Sequence, residues 1–247
     1  AVMTVFDVLL VIVALFTFFR ARRFYAEVMV KGLSRFLLRL ARVRVEEYGE
    51  RPPPGRSVFY MPNHPSIIDV FILTSLGLPR TRYFMSRGVW TYVPFALASW
   101  MMGVFFTPPQ SRTAERVRCF ERAERHLRAS GESVLGTPEG RIVPGGLGPF
   151  NRGVFHLATV LGIPIVPVCL VFPPGTSPGL SFAPHPTTVT VHYLPEIATV
   201  DWHPEEVDRR KMEVRAVFVD FLAEPAGGPT TKSAVDEEEK EGCQALI

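Results

Sequence analysis

His64 and Asp69 stand five positions apart in the segment NHPSIID, and as a pair they could perform general base chemistry. A carboxylate beside an imidazole accepts a hydrogen bond from one ring nitrogen and leaves the other free to take a proton. The apolar residues 58–61 predict a short buried strand before the pair, and Pro65 predicts the first position of a helix. His64 then lies at the end of the strand, with Asp69 one turn into the helix. A second interpretation stays open, because Asp69 could simply cap the helix or form an ion pair.

A second segment, SVLGTPEGR at residues 133–141, repeats the order of an apolar strand, a proline and polar groups on a turn. Gly140 permits a tight turn and a close approach of the backbone to a ligand. Arg141 offers a planar fork of donors that suits phosphate. Glu139 could orient Arg141 or contact substrate hydroxyls. Alternatively, Glu139 and Arg141 form only an ion pair on the surface of a turn.

Together these segments resemble the 1-acylglycerol-3-phosphate acyltransferase family, a group that also includes glycerol-3-phosphate acyltransferases. The first motif of the family, N-H-x4-D, is met in full by Asn63, His64 and Asp69. The third motif, usually F-P-E-G-T-R, is kept as P-E-G followed directly by Arg141, without the threonine. The resemblance therefore implies that His64 and Asp69 are catalytic.

Two further segments extend the resemblance, and another departs from it. The sequence PFNRG, which contains Arg152, is similar to the P-F-K-x-G segment of the family, and IPIVPV, around Pro167, is similar to the fourth motif. The second motif, G-x-x-F-x-x-R, corresponds here to GVFFTPP at residues 103–109, with a proline where the arginine is expected. Arg112 follows three residues later and is expected to reach the same place.

The resemblance covers about residues 43–195 and implies a transfer of a fatty acyl group. His64, oriented by Asp69, would deprotonate an acceptor hydroxyl as that oxygen attacks the thioester of acyl-CoA or acyl carrier protein. Backbone amides near the helix start or the Gly140 turn are expected to stabilise the oxyanion. The expected substrate-binding residues are Asn63, Arg112, Glu139, Gly140, Arg141, Arg152 and Pro167.

Three functions fit these motifs. In the first, a membrane-bound enzyme acylates the sn-2 hydroxyl of lysophosphatidate and gives phosphatidate in phospholipid biosynthesis. In the second, the same chemistry acts on another lysophospholipid or on an amino-acid lipid, which the altered second and third motifs favour. In the third, the chain is a non-catalytic lipid-binding protein of the same fold. The presence of both His64 and Asp69 argues against the third.

The amino-terminal residues 1–42 predict a membrane anchor of two helices. Residues 8–19 are almost entirely apolar, and a basic stretch with Glu27 as its single acid follows. Such a stretch attracts anionic lipid or nucleic acid, and the apolar residues before it favour a membrane over nucleic acid. The expected location is the cytoplasmic face of a bacterial inner membrane. Whether residues 1–19 cross the bilayer stays open.

A second open question concerns the following helix, which has Val30, Leu33, Leu37 and Leu40 on one face. This face could lie on lipid or on the core of the protein. The basic residues are Arg20, Arg22, Arg23, Lys31, Arg35, Arg39, Arg42 and Arg44.

The remaining sequence predicts an α/β fold with a mostly parallel or mixed sheet that is covered by helices. The chain has 247 residues, of which 47% are hydrophobic, and residues 43–224 predict one domain. Alternating strands and helices indicate the covered sheet. The uncharged residues 88–111 predict a buried helix and a short strand, which could line an acyl tunnel or belong to the ordinary core. Residues 225–247 predict a disordered acidic tail.

No metal centre is expected, because the histidines and cysteines are scattered along the chain. Neither a metal ion nor a bound cofactor is required by the expected reaction, in which the acyl donor is a co-substrate. The cysteines, Cys119, Cys169 and Cys243, have no metal-like spacing and predict free thiols in a reducing compartment.

Overall fold

Residues 2–223 are described by a computed structural model, in which seven strands form one mixed sheet. The order across the sheet is β1-β7-β6-β2-β5-β3-β4. Strands β6, β2, β5, β3 and β4 are parallel, whereas β7 is antiparallel to β6 and parallel to the edge strand β1. The strands are β1 Val43–Tyr48, β2 Phe59–Pro62, β3 Thr81–Ser86, β4 Phe105–Thr107, β5 Ser133–Leu135, β6 Ile165–Val171 and β7 Thr187–Tyr193.

Helices follow most of the strands and cover the sheet, which confirms the predicted fold class. The α-helices of the described residues are α1 Val2–Phe16, α2 Arg22–Phe24, α3 Lys31–Leu40, α4 Asp69–Ser75, α5 Val93–Met101, α6 Thr113–Ser130, α7 Arg152–Leu161 and α8 Val207–Ala223. A π-helical turn, Tyr25–Val30, joins α2 to α3, and 3₁₀ turns, Arg87–Thr91 and Pro204–Glu206, precede α5 and α8.

The side chains of Val58, just before β2, and of the β2 residues after it alternate between two hydrophobic clusters, one on each face of the sheet. Val58 and Tyr60 belong to the cluster that includes residues of α1, α3, α4 and α5. Phe59 and Met61 belong to the cluster formed with α6, α7 and α8. Because successive side chains of a strand point to opposite faces, the apolar run at residues 58–61 is explained by burial on both sides.

Parallel strands β2, β3 and β5 end at one edge of the sheet. The segment with His64 follows β2, and the segment with Glu139 and Arg141 follows β5, which is the direct neighbour of β2. The two motifs are therefore brought together at the carboxyl edge, where open α/β sheets bind ligands.

The amino-terminal helices pack against the sheet rather than apart from it. Tyr25 and Val30 are buried in the same cluster as the strands. Helix α3 packs on α4, and the hydroxyl oxygens of Ser34 and Thr74 are 2.7 Å apart in a hydrogen bond. The predicted apolar face is only partly correct, because the contact with α4 buries Ser34 and Leu38 whereas Leu40 is 66% exposed. Of the two interpretations, packing on the protein's own core holds for one side of α3.

Helix α1 exposes many of its apolar side chains but buries its acid, together with Leu10 and Ala14. Val5, Leu15 and Phe16 are exposed, whereas Asp7 is only 7% exposed. Helix α1 also packs against α5 through its inner side. Within residues 2–223 we find no helix with both the length and the apolar character needed to cross a bilayer.

The inward position of Asp7 predicts a pH-dependent stability. Burial raises the pKa of Asp7 from 3.8 to about 6. Since the folded-state pKa is the higher one, the neutral carboxyl favours folding below about pH 4, and this advantage is lost as the pH rises through about 6. We expect Asp7→Asn to increase the free energy of unfolding by about 1–2 kcal/mol near pH 7 and to change little near pH 4. Thermal unfolding in one detergent at both pH values measures this, and an equal gain at both would contradict it.

The uncharged segment forms α5 and β4, as predicted, but α5 is buried on one side only. Ala96 and Ala98 face the core, whereas Val93 is 68% and Trp100 is 52% exposed. The expectation of a buried helix is therefore wrong for its outer face, because apolar content alone does not show which side is covered.

Cys119 and Cys169 are free and buried, in accordance with the predicted thiols. Cys243 and the predicted acidic tail at residues 225–247 lie outside the described residues.

Candidate active site

The chain leaves β2 through Asn63, whose side chain fixes the start of the following turn. Its Nδ2 donates to the carbonyl oxygen of Leu170 at 3.1 Å, and its Oδ1 accepts from the N–H of Leu170 at 2.7 Å. The amide therefore adds one more pair of hydrogen bonds between the β2 end and β6. Because both polar groups are used and the residue is buried, Asn63 positions His64 instead of contacting a ligand directly.

His64 and Asp69 are in direct contact. Nδ1 of His64 is 2.9 Å from Oδ2 of Asp69, and the same oxygen accepts from the N–H of Ser66 at 2.8 Å. Asp69 is fully buried, while the His64 side chain is 23% exposed. The helix begins at Asp69 itself, so the predicted helix start at Pro65 is wrong. The turn before the helix brings the carboxylate back to the imidazole.

Opposing effects act on the ionisation of Asp69. Burial raises the pKa of its carboxyl above the usual range, while the hydrogen bond from His64, the charge interaction with it and the Ser66 N–H lower that pKa. Within residues 2–223 its Oδ1 has no partner, so both donors act on Oδ2. A carboxylate at Nδ1 favours the tautomer with the proton on that nitrogen. Nε2 of His64 is then the nitrogen that can accept a proton.

Glu139 connects the His64 turn to the loop that follows β5. Its Oε2 accepts from the backbone N–H of His64 at 2.7 Å, and its Oε1 accepts from the N–H of Gly148 at 3.0 Å. Burial raises the pKa of Glu139, and the two N–H donors lower it. The alternative of a surface ion pair with Arg141 is wrong, because Glu139 is 1% exposed and turns inward to satisfy two buried amides. Its expected contact with substrate is replaced by a positioning role.

Gly140 has the backbone conformation that its sequence position predicted. Its φ is +62°, and a Cβ at this position would lie 2.8 Å from Nδ2 of Asn151. Asn151 in turn donates through Nδ2 to the carbonyl oxygen of Glu139 at 2.5 Å. Asn151 was not predicted, although it stands where the P-F-K-x-G segment has its lysine. The positive φ and this close approach together disfavour a side chain at residue 140.

A cavity of about 410 Å³ opens beside His64 at the carboxyl edge of the sheet. Most of its lining is apolar, with a few polar groups, as is typical of sites that bind small molecules. The apolar part includes Ile67, Val70, Leu73, Val89, Phe95 and Phe120. The polar part includes His64, Arg116, Thr137, Arg141 and Asn151.

Two arginines line this cavity, and only one of them was predicted. Arg141 does so, as expected. The other is Arg116, whose Nη1 donates to the carbonyl oxygen of Pro108 at 3.0 Å. Arg112 is instead exposed and forms an ion pair with Glu115 at 3.1 Å. Because α6 begins at Thr113, the residue one helical turn after Arg112 reaches the cavity, and this spacing is the signal that could have identified it.

Arg152 and Pro167 were also expected to bind substrate, and they are not among the residues that line the cavity. Arg152 forms an ion pair with Asp208 at 3.3 Å, which links α7 to the start of α8. Pro167 is buried within β6, in register with Met61 of β2. We therefore correct both predictions: Arg152 connects two helices, and Pro167 packs inside the sheet.

Several backbone amides of the turns are engaged inside the protein. The N–H of Ile67 donates to the carbonyl oxygen of Gly179 at 2.7 Å, and the N–H of Gly140 donates to that of Thr137 at 3.3 Å. The N–H groups of His64 and Ser66 are used by carboxylates. These four amides are therefore not free donors for an oxyanion, and the expectation that other amides of the same turns stabilise it stays a prediction.

The mixed sheet, the His64–Asp69 pair and the adjoining cavity define an α/β protein with a histidine–aspartate pair beside a mostly apolar cavity. The crystal structure of the 1-acyl-sn-glycerophosphate (LPA) acyltransferase PlsC from Thermotoga maritima has the same fold. Its TM-score is 0.60 at 16% identity, and the match covers 92% of this chain and 97% of that chain.

The chain belongs to the acyltransferase family, whose model matches residues 42–171. It is 34% identical over 124 residues to a chloroplastic 1-acyl-sn-glycerol-3-phosphate acyltransferase of Brassica napus, covering 49% of this chain and 34% of that protein. It is 29% identical over 181 residues to a 1-acyl-sn-glycerol-3-phosphate acyltransferase of Limnanthes alba, covering 72% and 63%. The chain thus spans less than two thirds of either relative. These matches confirm the resemblance that the motifs indicated.

Proposed function

We propose that this chain transfers a fatty acyl group from acyl-CoA or acyl carrier protein to the sn-2 hydroxyl of lysophosphatidate, giving phosphatidate in phospholipid biosynthesis. The observation that carries the proposal is the 2.9 Å contact between His64 and Asp69 in the wall of a mostly apolar cavity. The named relatives, which are 1-acyl-sn-glycerol-3-phosphate acyltransferases, support the same acceptor.

The proposed reaction uses His64 twice. Nε2 takes the proton of the acceptor hydroxyl as its oxygen forms a bond to the thioester carbon, and Asp69 stabilises the imidazolium through Nδ1. When the tetrahedral intermediate collapses, the carbon–sulfur bond breaks and the imidazolium returns its proton to the thiolate. The products are an ester and a free thiol. Within this scheme no serine or cysteine nucleophile is needed.

The proposed location is a membrane surface, and more specifically the cytoplasmic face of a bacterial inner membrane. Residues 1–42 would supply the membrane contact, and residues 43–224 would form the catalytic part. The exposed apolar side chains of α1 and the basic residues that follow it support this placement. The apolar side chains would enter the lipid while the arginines contact anionic head groups.

A second acceptor class is favoured by one observation. Pro109 stands where the family's second motif has an arginine, and Arg116 lines the cavity from α6. Because Arg116 reaches the cavity from α6 and not from the segment of the second motif, it could hold the anionic group of the acceptor in a different position. We therefore keep another lysophospholipid, or an amino-acid lipid, as the alternative acceptor for the same chemistry.

The test is an assay of the purified chain in lipid vesicles with a panel of lyso-acceptors and both donor types. Thiol release and the lipid products are measured for the native chain and for His64→Ala. Phosphatidate formation from lysophosphatidate supports the proposal, and product from another acceptor alone supports the alternative. If no acceptor leads to thiol release, the catalytic proposal fails.

Arg116 and Arg141 are predicted to hold the anionic group of the acceptor. We expect Arg116→Ala and Arg141→Ala each to raise KM for lysophosphatidate about 10- to 100-fold, because a hydrogen bond to a charged group is worth about 1.5–3 kcal/mol. KM for a monoacylglycerol, which lacks phosphate, should change little. Arg112→Ala is the matched control, since Arg112 is exposed and paired with Glu115. A larger effect of Arg112→Ala than of Arg116→Ala would contradict this assignment.

A further inference from the structure

A second exposed apolar surface lies away from α1. Trp90, Tyr92 and Val93, at the start of α5, are 48%, 58% and 68% exposed. Leu180 and Phe182, in the loop between β6 and β7, are 68% and 53% exposed. The rings of Tyr92 and Phe182 meet edge to face with their centres 5.8 Å apart. We refer to these five residues as the apolar rim.

The apolar rim adjoins the cavity from two sides. On one side, Val89 and Phe95 line the cavity and flank the rim residues of the 3₁₀ turn and α5. On the other side, Ile67 lines the cavity and donates its N–H to the carbonyl oxygen of Gly179, the residue before Leu180. The rim therefore lies next to the site of His64.

The loop that carries Leu180 and Phe182 is also bound to the turn between His64 and Asp69. The hydroxyl of Ser66 donates to the carbonyl oxygen of Gly179 at 3.2 Å. The hydroxyl of Ser177 donates to the carbonyl oxygen of Pro65 at 3.4 Å. A ligand that holds this loop in place also supports the turn on which the imidazole is fixed.

The charge of the surrounding segments indicates which partner the rim accepts. Residues 70–114 and 140–195 contain no aspartate or glutamate, and Arg87 pairs with Glu115 of α6 at 3.0 Å. These segments therefore contain no acid that would repel anionic head groups, and the exposed basic residues that attract them, Arg20 and Arg23, lie just after α1.

The rim is continuous with the exposed face of α1. Val93 and Trp100 are seven residues apart and share the outer face of α5. The ring of Trp100 in turn contacts Phe19, just after α1, with ring centres 6.3 Å apart. One apolar surface thus connects α1, α5 and the mouth of the cavity.

We propose that the apolar rim is a second lipid contact, through which the cavity opens directly to a membrane that contains anionic lipid. The aromatic rings enter the head-group region, where rings with an apolar body are favoured. Lipid contact at Leu180 and Phe182 holds the loop against the His64 turn. The lipid acceptor then enters the cavity without crossing water. The last two statements rest on the proposed function, but the lipid contact itself does not.

The experiment uses the full chain and vesicles of phosphatidylcholine with about one third phosphatidylglycerol. The double variant Leu180→Ser, Phe182→Ser is compared with Met212→Ser, Val219→Ser, which removes exposed apolar side chains from α8. Vesicle partition is measured by sedimentation, and turnover is measured with a short-chain monomeric acceptor and with a long-chain acceptor inside vesicles. We expect the rim variant to lose about tenfold in partition and in turnover of the vesicle acceptor, but to keep turnover of the monomeric one. The α8 variant should match the native chain.

Three results would overturn the lipid contact. The first is equal partition of the native chain and the rim variant. The second is an equal loss of turnover on both acceptors with partition unchanged, which would make the rim only a structural support of the turn. The third is a change from dimer to monomer on size exclusion with partition unchanged, which would make the rim a contact between copies. Absence of all acyl transfer would defeat the proposed function and leave the partition result to decide on the rim.

Discussion

Replacing His64 by alanine is expected to lower kcat about 100- to 10,000-fold, with a much smaller change in KM. The imidazole is the only group of the proposed reaction that takes the proton of the acceptor hydroxyl, and a positioned general base contributes a factor of this size. Asp69→Asn should cause a loss in the same range, because an amide next to Nδ1 favours the wrong tautomer. Initial rates of thiol release with saturating acceptor measure both effects.

A matched control exists on the same chain. His156 is exposed on α7 and is not among the residues lining the cavity. His156→Ala should therefore keep nearly native kcat. If His64→Ala lost no more activity than His156→Ala, His64 would not be the base, even if the chain transferred acyl groups.

Removing the carboxylate of Glu139 is expected to reduce both stability and activity. Glu139→Ala leaves the buried N–H groups of His64 and Gly148 without an acceptor, and each such loss costs about 1–3 kcal/mol. We expect the free energy of unfolding to fall by about 2–4 kcal/mol and kcat to fall at least about tenfold in the molecules that remain folded. Denaturant unfolding and rates measured below the unfolding transition separate the two effects.

Two further variants make the Glu139 prediction specific. Glu139→Gln keeps one oxygen acceptor and should show an intermediate loss of stability. Glu124→Ala removes a partly exposed carboxylate that pairs with Arg128 on α6, and such pairs contribute less than about 1 kcal/mol. Equal destabilisation by Glu139→Ala and Glu124→Ala would show that Glu139 does not hold the two loops together.

The strands could be predicted from the sequence because their signals are local. The continuous apolar run of β6, for example, reflects the burial of nearly every residue of one short segment. The buried face of α3 was predicted only in part, since Leu33 is buried as expected whereas Leu40 is exposed. The contact of α3 with α4 includes a hydrogen bond between Ser34 and Thr74, and the periodicity of apolar residues does not report such a bond.

The site shows the same division between local and distant contacts. His64 and Asp69 are close in the chain, so their spacing was enough to predict the contact between them. Glu139 bonds to a backbone amide 75 positions away, and no pattern of residue types reports that partner. Which arginine reaches the cavity depends on where α6 begins, because Arg112 and Arg116 are only one helical turn apart. The motifs therefore predicted the contact between His64 and Asp69 correctly and the positions of the surrounding residues only in part.

The pairing of Asn63 with Leu170 has a consequence for how the protein acquires activity as it is synthesised. The two residues are separated by 107 positions, and the Ser66 contact to Gly179 spans 113. Contacts that join distant parts of a chain form late and slowly, since the intervening segment must be closed into a loop first. A nascent chain that already displays both His64 and Asp69 therefore has no fixed imidazole until β6 and the following loop have been made. Activity should appear as one of the last events of folding, and chains that end before residue 179 should be inactive.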